Sequence, residues 1–201
     1  MQSQSLLPEA STYANSVTQK RFPQLREYVT AAVMVAELSH LAWELFHGGI
    51  RSHHFLNSAD MPAISNAWGL LLLPLLTWFL LAFVQKRMAL NPGANASSQK
   101  LAMSVIIGFL GSLLFGILLS TSFTNDYQTI TEYLFMGMLL LALLFPVYRA
   151  ECVLGFVLGM TFTFGAVLPT IVASVIAAVS GLVHRGIGPV FVKLWRRFER
   201  K

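Results

Sequence analysis

Acidic and imidazole side chains recur at a regular spacing in the first apolar stretch of the sequence. Glu37, His40, Glu44 and His47 form two Glu-x-x-His units seven residues apart. At about 100° per residue, an α-helix places all four within an arc of about 80°, so they predict one polar stripe on one helix face. A carboxylate and an imidazole at i, i+3 have the spacing that carboxylate-bridged metal centres use in helical bundles.

Further ligand types follow the stripe within a short distance. The sequence places His53 and His54 after the predicted helix and Asp60 shortly beyond them. Imidazole with carboxylate suits a divalent transition metal such as Zn, Fe, Cu or Mn, and the single cysteine, Cys152, excludes a thiolate-rich site within one chain. The predicted metal ligands are His40, Glu44, His47, His53 and His54, and the predicted catalytic groups are Glu37, Asp60 and Glu132.

The composition predicts a membrane environment, in which the charged groups of the stripe cost free energy. The chain has 201 residues, of which 55% are hydrophobic and only 11% are charged, whereas soluble domains are about one quarter charged. Its apolar runs are long enough to cross about 30 Å of hydrocarbon. Since a carboxylate at the centre of a membrane helix costs about 2.5 to 3.5 kcal/mol, the acidic groups require partners, water or an ion.

Three functions are compatible with such a stripe. The first is a membrane metalloprotein, an enzyme acting on a lipophilic substrate near the outer membrane face. The second is a carrier or a subunit of a membrane complex that uses the stripe as a proton or cation relay. The third is a non-catalytic subunit that buries the stripe against a partner. Metal binding is the leading expectation at this point.

The hydropathy pattern predicts an all-α fold, a polytopic transmembrane helical bundle. A polar cytoplasmic segment at 1–27 precedes a transmembrane domain at 28–184, and a basic amphipathic cytoplasmic tail occupies 185–201. The polar first segment lacks the apolar core of a secretory signal. The apolar stretches lie at about 28–49, 63–85, 101–122, 128–148 and 152–183.

The last apolar stretch fits either one long tilted helix or a hairpin that turns near Gly165 to Pro169. With a cytoplasmic N-terminus, the hairpin leaves every one of the 14 basic residues except Arg51 on the cytoplasmic side. We therefore predict about six membrane segments, the last two short or forming a kinked or re-entrant pair. Both termini are then cytoplasmic, and a bacterial inner membrane fits the small size.

The remaining predictions concern packing and partners. Gly155-x-x-x-Gly159 and Ser112-x-x-x-Gly116 predict close helix contacts. Glu151 is expected to pair with Arg149, and Ser65 and Asn66 are polar groups that could complete the site. The net charge of +5 is explained by membrane topology and by a tail on an anionic leaflet, not by nucleic acid. Expected partners are membrane lipids, a lipophilic substrate, and further copies of the chain or a larger membrane complex.

Overall fold

A computed structural model describes residues 6–54, 63–90 and 96–187, with side chains described in 23–52, 63–90 and 99–186. Within these ranges the chain is helical, as predicted, apart from one short strand pair. The elements are α1 (Leu6–Phe46), β1 (Ser52–His54), β2 (Ala63–Ser65), α2 (Gly69–Ala89), α3 (Ala96–Thr124), α4 (Gln128–Leu144), α5 (Ala150–Phe164) and α6 (Val167–Gly181). A 3-10 turn, Asn66–Trp68, precedes α2, and a π-helical segment, Leu182–Ile187, follows α6.

Four helical segments in the described ranges are long and apolar enough to cross a membrane. They are Pro23–Phe46, Asn66–Ala89, Gln99–Thr124 and Val167–Gly186, while α4 and α5 are apolar but shorter. The described part of the chain is therefore helical with four candidate membrane spans, which suggests a membrane protein. The predicted count of six spans stays a prediction, because two of the six helices fall below the usual length.

The distribution of polarity agrees with a bilayer environment. Large apolar side chains such as Leu71, Phe79 and Ile107 are exposed on the outside of the bundle, whereas Glu37 and Glu44 are buried. A protein in water would form this arrangement only at great cost, since contiguous exposed apolar surface promotes association. Lipid around the helices removes that cost.

The last apolar stretch is a hairpin, not a single helix. Gly165, at φ +68°, ends α5 in a backbone conformation that glycine adopts without strain. The end of α6 then returns to the start of α5, where the Ser180 hydroxyl donates to the Phe145 carbonyl at 3.1 Å and His184 lies beside Tyr148. This settles the choice between the two forms that the sequence left open.

The closest helix packing joins α3 and α5, where the small-residue motifs predicted it. A Cβ atom at Gly116 would lie 2.7 Å from the Phe156 carbonyl oxygen, and one at Gly155 or Gly159 would overlap backbone carbonyls of α3. Only glycine permits this approach. Beside this seam lies an apolar core that includes Leu73, Leu119, Met138, Ala142, Phe156, Val157, Met160 and Ala166.

One predicted ion pair is wrong. Glu151 accepts a hydrogen bond from Arg87 of α2 at 2.7 Å, while Arg149 donates instead to the Ser104 hydroxyl at 3.1 Å. Residues two apart at a helix start point to different sides, so Arg149 and Glu151 do not face each other. These contacts also place the end of α2 and the starts of α3 and α5 at one end of the bundle, which we call the basic end.

Candidate functional site

Three residues of the predicted stripe lie together on α1 and are largely buried. His40 is between Glu37 and Glu44, with its Nδ1 atom 3.6 Å from Glu37 Oε2 and its Nε2 atom 3.6 Å from Glu44 Oε1. The two carboxyl residues are only 4% and 3% exposed. We call Glu37, His40 and Glu44 the Glu/His row. Its two carboxylates lie on opposite edges of one imidazole ring.

Glu44 is held by two N–H donors at the end of the bundle opposite the basic end. The Asn66 side-chain amide donates to Glu44 Oε1 at 2.8 Å, and the Arg51 backbone N–H donates to Oε2 at 3.2 Å. Hydrogen bonds to a carboxylate are stronger than those between neutral groups and stabilise its ionised form. Asn66, proposed from sequence as a supporting polar group, is thus confirmed as a neighbour of the row.

The short strand pair places Asn66 over the end of α1. Gly48 and Gly49 both have positive φ values, 119° and 97°, and turn the chain back after the helix. β1 then pairs antiparallel with β2, with Ser52 opposite Ser65. The Asn66 N–H continues this pairing by donating to the Arg51 carbonyl at 2.9 Å. The turn and the strands therefore fix both donors to Glu44.

Glu37 has a different environment at the inner end of the row. Its carboxylate lies against Gly69 at the start of α2, where a Cβ atom would overlap Oε1 and would lie 3.5 Å from Ala166. Apart from His40, no residue in the described ranges bonds this carboxylate, and its buried Oε1 atom has no hydrogen-bond partner there. Among the described residues, His40 is therefore the one polar partner of the Glu37 carboxyl.

His47 does not join the row, although the helical spacing predicted it. α1 ends at Phe46, so His47 leaves the helical register. Its Nδ1–H donates to the Trp43 carbonyl at 2.8 Å, and its ring stacks on the Trp43 indole at 4.4 Å. The last carbonyls of a helix lack backbone donors, and the His47 side chain serves one of them.

The other predicted site residues are not brought to the row by the described structure. Glu132 is exposed on α4. His53 and His54 belong to β1, but their side chains lie outside the described residues, as does the whole of Asp60. Of the predicted site residues, His47 and Glu132 therefore lie away from the row, and the side chains of His53, His54 and Asp60 lie outside the described residues.

The described side chains do not converge on a metal position. Among them, no group of three or more His, Cys, Asp or Glu is placed to hold an ion. The geometry of His40 explains this, because its two ring nitrogens point in opposite directions and each faces a different carboxylate. An ion bound to one nitrogen would be shared with one carboxylate only.

Sequence spacing missed the residues that shape the site from other helices. Phe162 of α5 covers the His40 ring at a centroid distance of 4.9 Å. A Cβ atom at Gly165 would overlap the Asn66 side-chain oxygen. In the sequence, Gly69 precedes a leucine run and Gly165 lies four residues before Pro169, so both can be expected near helix ends. The sequence does not show that Gly69 contacts Glu37 or that Gly165 contacts Asn66.

Comparison with known proteins adds no relative. No protein-family model, curated protein or solved structure matches this chain.

Proposed function

We propose that this protein carries protons through the membrane along the Glu/His row, as a carrier or as a subunit of a membrane complex. The observation that supports the proposal most strongly is the placement of His40 with each ring nitrogen 3.6 Å from a different buried carboxylate. An imidazole can accept a proton at one nitrogen and release another from the opposite nitrogen. It is therefore suited to link two carboxylates that are too far apart to exchange protons directly.

The transfer is balanced in protons at each step. Glu44 gives its proton to Nε2 of a neutral His40 that carries its own proton on Nδ1, and the imidazolium then releases the Nδ1 proton to Glu37. The ring returns to its first tautomer before the next transfer. Because 3.6 Å exceeds hydrogen-bond length, each step requires a side-chain shift of about 0.5 Å or one bridging water.

The two carboxylates are suited to different roles. Glu44 accepts two N–H hydrogen bonds at the outer end of the row, where it would exchange protons with the adjacent aqueous face. Glu37 lacks such donors among the described residues and lies against Gly69 inside the bundle. Glu37 would therefore receive the proton at the inner end of the row and pass it to a group beyond.

The metalloenzyme hypothesis has less support than the relay. It depends on imidazole and carboxylate ligands that converge, whereas the row separates its carboxylates across one ring and His47 is engaged with Trp43. Its remaining predicted ligands, His53 and His54, and the predicted catalytic group Asp60 lie where side chains are not described. Elemental analysis of the purified protein separates the two hypotheses. The relay predicts unchanged proton flux after chelation.

The orientation in the membrane is also a proposal. The pairs Arg87–Glu151 and Arg149–Ser104 place basic side chains at one end, and Arg51 lies beside Glu44 at the other. Lysine and arginine concentrate on the cytoplasmic side of membrane proteins. We infer that the basic end is cytoplasmic, as in a bacterial inner membrane, so the row opens to the opposite side.

Proton flux into proteoliposomes tests the proposal. With an imposed membrane potential and a trapped pH-sensitive dye, wild-type protein is expected to acidify the lumen, and Glu37→Gln is expected to abolish this flux. Glu132→Gln removes a carboxylate from the exposed face of α4 and serves as the matched control. Equal flux in Glu37→Gln and wild type, or no flux in any protein, contradicts the proposal.

A further inference from the structure

We propose that the proton path continues along the interface of α1 and α2 to a second polar station, formed by Thr30 and Thr77. An apolar layer of Val33 and Leu73 separates this station from Glu37. The inference rests on the proposed function and extends it. It assigns a role to a part of the molecule, between Glu37 and the basic end, that the Glu/His row does not reach.

The polar face of α1 is longer than the Glu/His row. Thr30 lies seven residues before Glu37, and Arg26 lies four residues before Thr30. At about 100° per residue, both fall within about 20° of Glu37 on the helix surface. From Arg26 to Glu44 the face is about 27 Å long at 1.5 Å per residue, close to the 30 Å or so of a hydrocarbon core.

Three hydroxyls in the described part of the chain are buried without a hydrogen-bond partner, those of Thr30, Thr77 and Ser120, and the first two lie on α1 and α2. Thr121, Thr161 and Thr170 each donate to the carbonyl four residues earlier in their own helix. The hydroxyls of Thr30 and Thr77 are buried and have no hydrogen-bond partner in the described part of the chain, and Thr77 is 0% exposed. An unpaired buried hydroxyl destabilises the folded protein, and hydration would remove that cost.

α2 supplies the opposite wall of this interface. Its buried residues Gly69, Leu73 and Thr77 are spaced by one helical turn each, so they lie on one face. The α2 side therefore offers the Thr77 hydroxyl along the proposed path.

The layer between the two stations is apolar. Leu73 is 2% exposed and lies between Gly69, which contacts Glu37, and Thr77 on the same face of α2. Val33 packs against the same core from α1. Apolar constrictions in membrane proteins control conduction by excluding water. We therefore assign Leu73 and Val33 the role of a barrier that protons cross only when water enters between them.

The path ends toward the basic end at Arg26. Its guanidinium lies over the Trp78 ring, 3.7 Å from the centroid, one residue beyond Thr77 on α2. A cation held on an aromatic face in this way is stabilised even with little water around it. Arg26 thus terminates the polar face of α1 where the interface approaches the cytoplasmic side.

A hydration probe tests the second station without any flux measurement. In a Cys152→Ser background, Thr77→Cys and Leu75→Cys are cyanylated, and the nitrile stretch reports hydrogen bonding to water. Leu75 lies on the lipid-exposed side of the same helix. We expect a hydrogen-bonded nitrile at position 77 and an apolar signal at position 75. Matching signals, or a thiol at position 77 that the reagent never reaches, overturns the inference.

Flux measurements then separate this inference from the proposed function. Thr77→Val is expected to lower proton flux about tenfold, Thr77→Ser to retain it, and Leu73→Ala to raise it, with Leu75→Ala unchanged. If Glu37→Gln abolishes flux and Thr77→Val leaves it unchanged, the Glu/His row is supported as the proton path and the second station at Thr30 and Thr77 is refuted. If position 77 is hydrated in a protein that carries no protons, water does reach the interface, but the proposed function and its extension to Thr77 both fail.

Discussion

The side-chain amide of Asn66 donates a 2.8 Å hydrogen bond to the carboxylate of Glu44 and thereby joins the end of α1 to the start of α2. Both groups are buried. The bond has a structural role, because it fixes the packing of the two helices, and a chemical role, because it holds Glu44 at Nε2 of His40. A variant that breaks it is expected to affect stability and proton transfer together.

Asn66→Ala should lower the free energy of unfolding by about 2 kcal/mol, because it leaves the Glu44 carboxylate buried with one donor fewer. Thermal unfolding in detergent measures the loss. Asn125→Ala is the matched control, since Asn125 is exposed just after the end of α3 and its side-chain amide donates to the nearby Thr121 carbonyl. Equal unfolding temperatures for the two variants would show that the Asn66 bond does not form.

Gly69→Ala should reduce proton flux about tenfold while the protein remains folded. The new methyl group would occupy the space of Glu37 Oε1, and the flexible carboxylate would move away from His40. The measurement is flux in proteoliposomes, with unfolding followed in parallel. Gly111→Ala, in open space on α3, should leave both unchanged. Full flux in Gly69→Ala would mean that the position of Glu37 is not critical.

Gly155→Ala and Gly159→Ala should each cost about 1 to 3 kcal/mol of stability, because a Cβ at either position overlaps a backbone carbonyl of α3 and forces the helices apart. Unfolding in a denaturing detergent gives the difference. Gly137→Ala on α4 meets no neighbouring atom and should be neutral or slightly stabilising. A loss of stability in Gly137→Ala as large as in Gly155→Ala would argue against the close packing of α3 and α5.

Arg87→Leu should destabilise the protein by about 3 kcal/mol, since it leaves Glu151 buried without its cation. Arg149→Leu removes one hydrogen bond, to Ser104, and should cost about 1 kcal/mol. Arg87→Leu combined with Glu151→Leu should recover much of the loss. The free energy of unfolding of the three variants is the measurement. A larger loss of stability in Arg149→Leu than in Arg87→Leu would instead favour the Arg149–Glu151 pair that the sequence suggested.

Sequence periodicity predicted the part of the site that lies on one helix. Glu37, His40 and Glu44 share a face because α1 is regular there, and the helical arc requires no knowledge of other elements. His47 failed the same test for a physical reason. The helix ends one residue before it, and its imidazole bonds a carbonyl that the end leaves free.

Residue spacing alone could not predict the contacts between side chains that are far apart in the sequence. The Asn66 bond to Glu44 depends on a glycine turn and a strand pair between them, and the Arg87 pair with Glu151 depends on how α2 packs against α5. The hairpin at Gly165 was predicted from the placement of basic residues and not from spacing, because an apolar run alone fits one long helix or two short ones. Tertiary packing decides the two side-chain contacts.

The central claim is that His40, and not His47, passes protons between the two buried carboxylates. His40→Gln and His47→Gln should be compared for proton flux in proteoliposomes under the same imposed potential. His40→Gln is expected to abolish flux and His47→Gln to retain it, since only the first interrupts the row. Flux that survives in His40→Gln, or that is lost equally in both variants, would contradict this account.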